Sequence, residues 1–312
     1  TSDAYQTRLW NRDNQPVDLP GYRVDALTDA MIRYLADAAK KDHPFFLFSS
    51  FLEPHHQNHR DDYPAPLGYE QRYTGAWIPP DLAALGGTAH RHLPGYLGMV
   101  KRLDEALGRV QDALVSLDLH RDTIVLFTSD HGCHFKTRNR EYKRSCHDAS
   151  IRVPTALWGG PFAGGGQIEQ LVSLVDLPPT LLDACDIPVP TSMQGRSILP
   201  LLDRHKPTDW PREVFVQVSE TEVGRAIRTD RWTYAVNAPD RKPYQDASSD
   251  RYVESHLYDL LADPWQLNNL VGSRNPVHVS ARRALRPRLL DRRPAAGAPG
   301  PGTHDWQPPQ PA

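Results

Sequence analysis

The chain has 312 residues, 39% of them hydrophobic, with 29 Pro and a net charge of −2, enough for one large α/β domain and a small appendage. No apolar run reaches 18 residues, so no membrane-spanning helix is encoded and no membrane partner is expected. Residues 274–312 hold seven Arg against two Asp, which leaves the rest of the chain acidic and argues against general nucleic-acid binding.

Residues 1–22 read as loop with no apolar leader segment. Val24, Leu27, Met31, Ile32, Leu35 and Ala39 form a stripe that predicts a helix over 24–41. FFLFSSFL, residues 45–52, is a continuous apolar run after Pro44 and predicts a strand buried on both faces. Residues 53–94 are rich in His, Pro, Gly and Asp and predict a long irregular, function-bearing loop. Apolar positions alternately four and three apart predict a helix over 95–117.

DTIVLFTSD, 122–130, predicts a second buried strand, and Val153–Trp158 a short third. A Gly-rich turn at 159–166 leads to a predicted strand over 171–175 and a helix over 178–184 that Asp176 would cap. The alternation through residue 184 argues a layered α/β domain with a mixed, mostly parallel sheet flanked by helices, occupying residues 1–205. Runs at 213–218, 225–228, 232–236 and 256–260 predict a small antiparallel sheet within 206–273. Residues 274–312 read as a Pro/Arg-rich, partly disordered tail. Trp158, Phe162, Leu181, Leu182, Tyr258 and Leu260 are core candidates. No internal repeat is present, and no oligomeric state can be read.

Chemistry concentrates beyond two strand ends, where open α/β sheets place their ligands. Asp130-His131-Gly132 follows the strand TIVLFTS. A carboxylate and an imidazole there can face one metal ion, with Gly132 permitting a sharp turn. HFKTRNREYKRSCH, residues 134–147, then carries Lys136, Arg138, Arg140, Lys143 and Arg144 against Glu141 alone, a cation density suited to an oxyanion. SSFLEPHHQNH, residues 49–59, offers His55, His56 and His59 after the other strand, able to protonate a leaving oxygen or bind an oxyanion. Asp104, between apolar helix positions, reads as a hydrogen-bonding partner of a neighbouring loop and not as a catalytic group.

In this order, PH after a strand, a helix, TSDHG, Lys143 and SIRVP, then VSLVDLPPTLLDACDIPVP, QGRSILPLL and LYDLLADPWQLNNLV, the chain resembles the sulfatase family of the alkaline phosphatase superfamily across residues 20–272. The resemblance implies an alkaline phosphatase-like fold and hydrolysis of sulfate esters, on a small molecule or a glycan. It implies Asp130 and His131 as one pair of metal ligands, the ion being calcium, or else magnesium or manganese. It implies Lys143 as the sulfate-binding lysine, His55 as the histidine on the sulfate or leaving group with His56 as its fallback, and Lys136 and Arg138 as further substrate-binding cations.

The family's formylglycine nucleophile arises from C/S-x-P/A-x-R, and this pattern is absent. Cys133, Cys146 and Cys185 are followed by HFKT, HDAS and DIPV, and Ser192 has Arg196 in place but Gln194 between. No Asp-Asp pair follows an early strand either, since Asp61-Asp62 lies in a different loop. The chain thus reads as amino-terminally truncated, without nucleophile and inactive alone. A phosphodiesterase or phosphonate monoester hydrolase of the same superfamily is the first alternative. A non-catalytic zinc-binding or interaction module using Asp130, His131, Cys133, His134, Cys146 and His147 is the second. Three Cys at irregular spacing make no disulfide framework, leave a Cys133–Cys146 bridge open and favour a cytoplasmic setting, or a secreted or periplasmic one if a leader was lost.

Overall fold

The computed structural model describes residues 4–56, 61–203 and 207–290. His59 and residues 291–312 lie outside them, as does the boundary read at 205–206. The amino-terminal stretch read as loop is a hairpin of β1 (Thr7–Trp10) and β2 (Pro16–Leu19). Its strands are mostly exposed and carry no apolar alternation. The turn sets the register instead: the Asn11 side chain accepts from the Asp13 and Gln15 amides, Asn14 adopts a φ of 56°, and Arg8 pairs with Asp18 across the strands at 2.7 Å.

Helix α1 (Arg23–Ala38) buries Val24 and Leu35 as its stripe predicts. Residues 45–52 are extended but join no ladder among the described residues. Only alternate side chains find a core: Phe45 and Leu47 pack against Leu35, Val110 and Leu114, while Phe46 and Phe48 are 77% and 80% exposed. The run is therefore buried on one face, not two.

The irregular segment contains two short helices, α2 (Tyr69–Arg72) and α3 (Pro80–Ala83). Helix α4 (Ala89–Ser116) begins six residues earlier than expected and carries Pro94 inside. Proline there forfeits one helical hydrogen bond. Burial of Ala89 and Leu93 with Tyr63 and Phe135 offsets that loss. Gly95 lets the helix backbone approach the Tyr63 carbonyl, where a Cβ would stand 2.5 Å away. Asp104 is exposed and pairs with Lys101 one turn back at 2.9 Å, not with a loop.

Strand β3 (Val125–Thr128) pairs antiparallel with β4 (Thr155–Trp158), with α5 (Asp148–Ile151) between them in sequence. Every ladder among the described residues is antiparallel. No strand forms at 171–175. A capping box between Ser173 and Asp176 turns the chain through a short 3-10 turn into α6 (Leu177–Ala184). The Asp176 carboxylate makes no cap bond to α6; it accepts from the Ser173 and Arg196 amides.

The four expected carboxyl-terminal runs are β5 (Glu213–Val218), β6 (Gly224–Thr229), β7 (Trp232–Asn237) and β8 (Val253–Asp259), a meander in that order. Against β6 and β7 lies α7 (Pro276–Leu290), so the first part of the expected disordered tail is a docked helix. Leu285 and Leu289, four apart, enter the core around Tyr234, Ile227 and Leu257. Leu289→Ala is expected to cost about 2–5 kcal/mol in urea unfolding. A cost under about 0.5 kcal/mol would show that α7 is not part of the cooperative fold. Among the core candidates Tyr258 and Leu260 are buried, while Trp158, Phe162, Leu181 and Leu182 are half-buried. All three cysteines are free, so Cys133 and Cys146 are not bridged.

Candidate functional site

Gly132 closes the turn after β3: its amide donates to the Ser150 carbonyl at 2.7 Å, and a Cβ there would sit 2.2 Å from the Ala149 carbonyl oxygen. Only glycine fits so close a backbone crossing. The turn returns the basic loop 134–147 beneath the PH segment. His134 donates its amide to the Tyr142 carbonyl at 2.7 Å, and the Thr88 amide at the foot of α4 donates to Phe135.

This folding brings His55, Asp130, His131 and Lys143 to one place. Lys143 Nζ lies 3.4 Å from His55 Nε2, the His55 and His131 rings are 6.4 Å apart, and His131 Nε2 is 3.4 Å from Asp130 Oδ2. The His55 Nδ1 atom faces the His56 carbonyl at 2.7 Å. A carbonyl only accepts, so Nδ1 carries the proton and Nε2 is the lone-pair atom of the neutral ring. The Tyr142 hydroxyl donates to that Nε2 at 2.6 Å. Burial, chiefly, holds the His55 pKa below its ordinary value; the bond to His56 opposes this, and Lys143 and His131 reinforce it.

Lys143 is half-buried and has no carboxylate within ion-pairing distance among the described residues. Its neighbours are the His55 nitrogen and the face of Tyr142, 5.5 Å away. Burial, then the nearby Arg144, lowers its pKa. A half-buried cation beside a neutral imidazole suits an incoming anion.

Arg138, Arg144 and Lys136 are committed elsewhere. The Arg138 guanidinium donates to the Trp265 and Gln266 carbonyls at 2.8 and 2.7 Å, clamping the loop after β8. Arg138 therefore ties the basic loop to the segment after β8. Arg144 pairs with Glu141 and Glu220. Lys136 reaches Asp61 at 3.1 Å, and so does His56 Nε2 at 3.0 Å, with Arg91 at 3.6 Å from the same carboxylate. His56 is buried among Tyr63, His92 and Tyr142 and turns away from the His55 nitrogen. Sequence reasoning set Asp61 aside and missed Tyr142, although it adjoins Lys143.

For a divalent cation the present donors are one exposed carboxylate and one imidazole. His131 Nδ1 faces the Gly132 carbonyl at 2.8 Å, so it carries the proton and leaves Nε2 toward Asp130. Two such donors fit one side of an oxygen- and nitrogen-ligated ion. No group of three or more His, Cys, Asp or Glu able to hold a metal occurs among the described residues. Of the residues weighed for a zinc module, Cys133 faces the Tyr63 hydroxyl at 3.2 Å, Cys146 is packed with Ala226 and Ala235, and His147 meets Tyr258.

Comparison with known proteins gives a family profile described as Sulfatase over residues 1–187 and one described as N-sulphoglucosamine sulphohydrolase, C-terminal, over 140–294. The chain is 34% identical over 184 residues to Arylsulfatase K of Homo sapiens, covering 56% of this chain and 32% of that protein. It thus spans about a third of the length of that relative. Among solved structures, a Bacteroides fragilis protein described as a candidate sulfatase superposes with a TM-score of 0.73 at 24% identity, over 92% of this chain and 63% of the other. The phosphonate monoester hydrolase of Agrobacterium radiobacter superposes with a TM-score of 0.66 at 22% identity, over 88% and 62%. At these identities the superpositions speak to fold, which is the mixed α/β architecture of the sulfatases with a small antiparallel sheet at the carboxyl end.

Proposed function

Because the chain belongs to the sulfatase family, we propose that it is the oxyanion-binding and leaving-group half of a metal-dependent sulfate-ester hydrolase, acting on a sulfated sugar. The observation that carries this is Lys143, a half-buried cation with no carboxylate in ion-pairing distance among the described residues, 3.4 Å from the lone-pair nitrogen of His55. The sugar is supported by the name of the family matched over 140–294.

In sulfuryl transfer the S–O bond to the alcohol breaks and negative charge grows on the sulfuryl oxygens and the departing oxygen. Lys143 supplies fixed positive charge for the former. For the latter, His55 in its doubly protonated form would give up the Nε2 proton to the departing oxygen and return to the neutral ring whose Nδ1–H the His56 carbonyl holds. Asp130 and His131 would hold one side of a divalent ion, which when bound polarises the sulfuryl oxygens. A two-donor set binds such an ion weakly. The 312 residues contain no C/S-x-P/A-x-R, so turnover of an aryl sulfate by this chain alone is expected to be negligible.

Binding is the test. Calorimetric titration with inorganic sulfate, and with glucosamine 6-sulfate, is expected to show saturable association that Lys143→Ala weakens about 10- to 100-fold, the worth of one charged hydrogen bond. Equal affinity for Lys143→Ala would sink the assignment. Inorganic phosphate binding clearly tighter than sulfate would move it to the phosphoryl-ester branch whose fold the chain shares.

A further inference from the structure

Tyr142 is in contact with two of the groups that the site is made from, His55 and Lys143, and with the neighbouring His56. Its hydroxyl is 2.6 Å from His55 Nε2 and its ring stands at 86° to the His55 ring with centroids 5.1 Å apart. Its ring also tilts against His56 at 5.3 Å, and the Lys143 ammonium lies over it at 5.5 Å. The residue is buried, and its own backbone is pinned by the His134 amide. An aromatic residue used merely as filler would not need to place a hydroxyl at a short, well-directed distance from an imidazole nitrogen.

We propose that Tyr142 is the positioning residue of this site: its hydroxyl and the His56 carbonyl together hold His55 in the Nδ1–H tautomer with Nε2 aimed at Lys143. The two contacts act on opposite edges of one ring. The carbonyl accepts from Nδ1–H, and the hydroxyl donates to Nε2. A ring rotation would break both bonds and turn carbon atoms toward Lys143. When Nε2 takes up a proton, the same hydroxyl oxygen can accept from it, so the alignment holds in both charge states. The ring face meanwhile limits where the Lys143 ammonium can rest. The inference rests on reading His55 as the proton-handling group of a sulfate-ester site, but its geometry can be tested without any turnover.

The experiment uses the full chain, ¹⁵N-labelled at histidine, and long-range proton–nitrogen correlation spectra that report which ring nitrogen carries hydrogen. Wild type is expected to show His55 with Nδ1 protonated. Tyr142→Phe keeps the ring and removes the hydroxyl. It is expected to move the Nε2 line toward that of an unbonded lone-pair nitrogen and to bring in exchange with the other tautomer. The same variant is expected to weaken inorganic sulfate about 3- to 10-fold, one ordinary hydrogen bond acting through the ring. An unmoved Nε2 line in Tyr142→Phe, or an Nε2–H tautomer in wild type, overturns the proposal. A moved line without any sulfate binding in wild type would uphold the positioning while refuting the sulfate-ester reading. If Tyr142→Phe does not fold, wild type still decides: the hydroxyl proton of Tyr142 should give a slowly exchanging downfield line that His55→Ala lacks, and absence of such a line in wild type refutes the bond.

Discussion

Glu53→Ala is expected to lower the unfolding free energy by about 3–5 kcal/mol, the cost of removing one member of a buried ion pair. The Arg23 and Glu53 side chains are 5% and 1% exposed and meet at 2.6 Å. A second contact from Arg23 Nε at 3.4 Å makes the pairing a fork, and the Thr7 hydroxyl lies 3.4 Å from the same guanidinium. Removing the carboxylate takes from Arg23, in the first turn of α1, the buried counter-charge that it meets through two nitrogens. Domains of this kind have only about 5–15 kcal/mol in hand, so the loss is a large fraction of the whole. Urea unfolding followed by circular dichroism measures it. A loss under about 1 kcal/mol would mean that water reaches the pair. The double replacement Arg23→Met with Glu53→Leu should recover much of the loss, because it removes both charges rather than one. The pair also matters for the site: Glu53 directly precedes Pro54 and His55, so the bond to α1 fixes the start of the segment that carries the histidine.

That pair left no trace in the sequence, whereas several other features did. Helices α1 and α4 followed from apolar periodicity, because each buries one stripe and the period records it, and the meander β5–β8 followed from its short β-type runs. The hairpin β1–β2 buries almost nothing; a turn made by Asn11 and an Arg8–Asp18 pair leave no periodic trace. Helix α7 was hidden by composition, since its arginines suggested a solvated tail, whereas Leu285 and Leu289 enter the core and Arg282 and Arg288 pair with Glu254 and Glu213. The contacts of Arg138 were hidden for a different reason: its partners are backbone carbonyls 127 and 128 residues away, and every residue type has a carbonyl. The convergence of His55 with Lys143, 88 residues apart, was expected from the order of motifs shared with a family, not from any local pattern. Tyr142 escaped because a tyrosine beside a lysine has no chemistry until the imidazole 87 residues before it is folded against it.

Acid is expected to destabilise the chain from about pH 6.5 downward, well above the range where carboxylates titrate, through two buried histidines. His147 lies between His256 and Tyr258, with its Nε2 3.0 Å from the Tyr258 hydroxyl and no hydrogen-bond partner for Nδ1 among the described residues. His134 is fully buried, and neither ring nitrogen has such a partner. Burial, reinforced by Arg138, pushes the pKa of His147 down to about 2. Burial likewise takes His134 down to about 4, with the bond at its own backbone opposing and Arg138 reinforcing. Both rings are therefore neutral in the fold, whereas in the unfolded chain each gains a proton near pH 6.5. Stability is intact above that value and falls as pH drops toward the folded pKa values, by about 1.4 kcal/mol per pH unit for each histidine. From pH 6.5 to 5 the two together remove on the order of 4 kcal/mol. Asp81 and Glu222, whose carboxyls burial raises, act in the opposite sense, so the decisive measurement is a difference between variants. Urea midpoints for wild type and His147→Phe at pH 7, 6 and 5 supply it. The variant should lose stability at pH 7 from the missing Tyr258 bond, yet its decline toward pH 5 should be shallower by about 1.4 kcal/mol per unit. Parallel declines would mean that His147 accepts its proton in place, and that the junction between the basic loop and β8 opens to water before the chain unfolds.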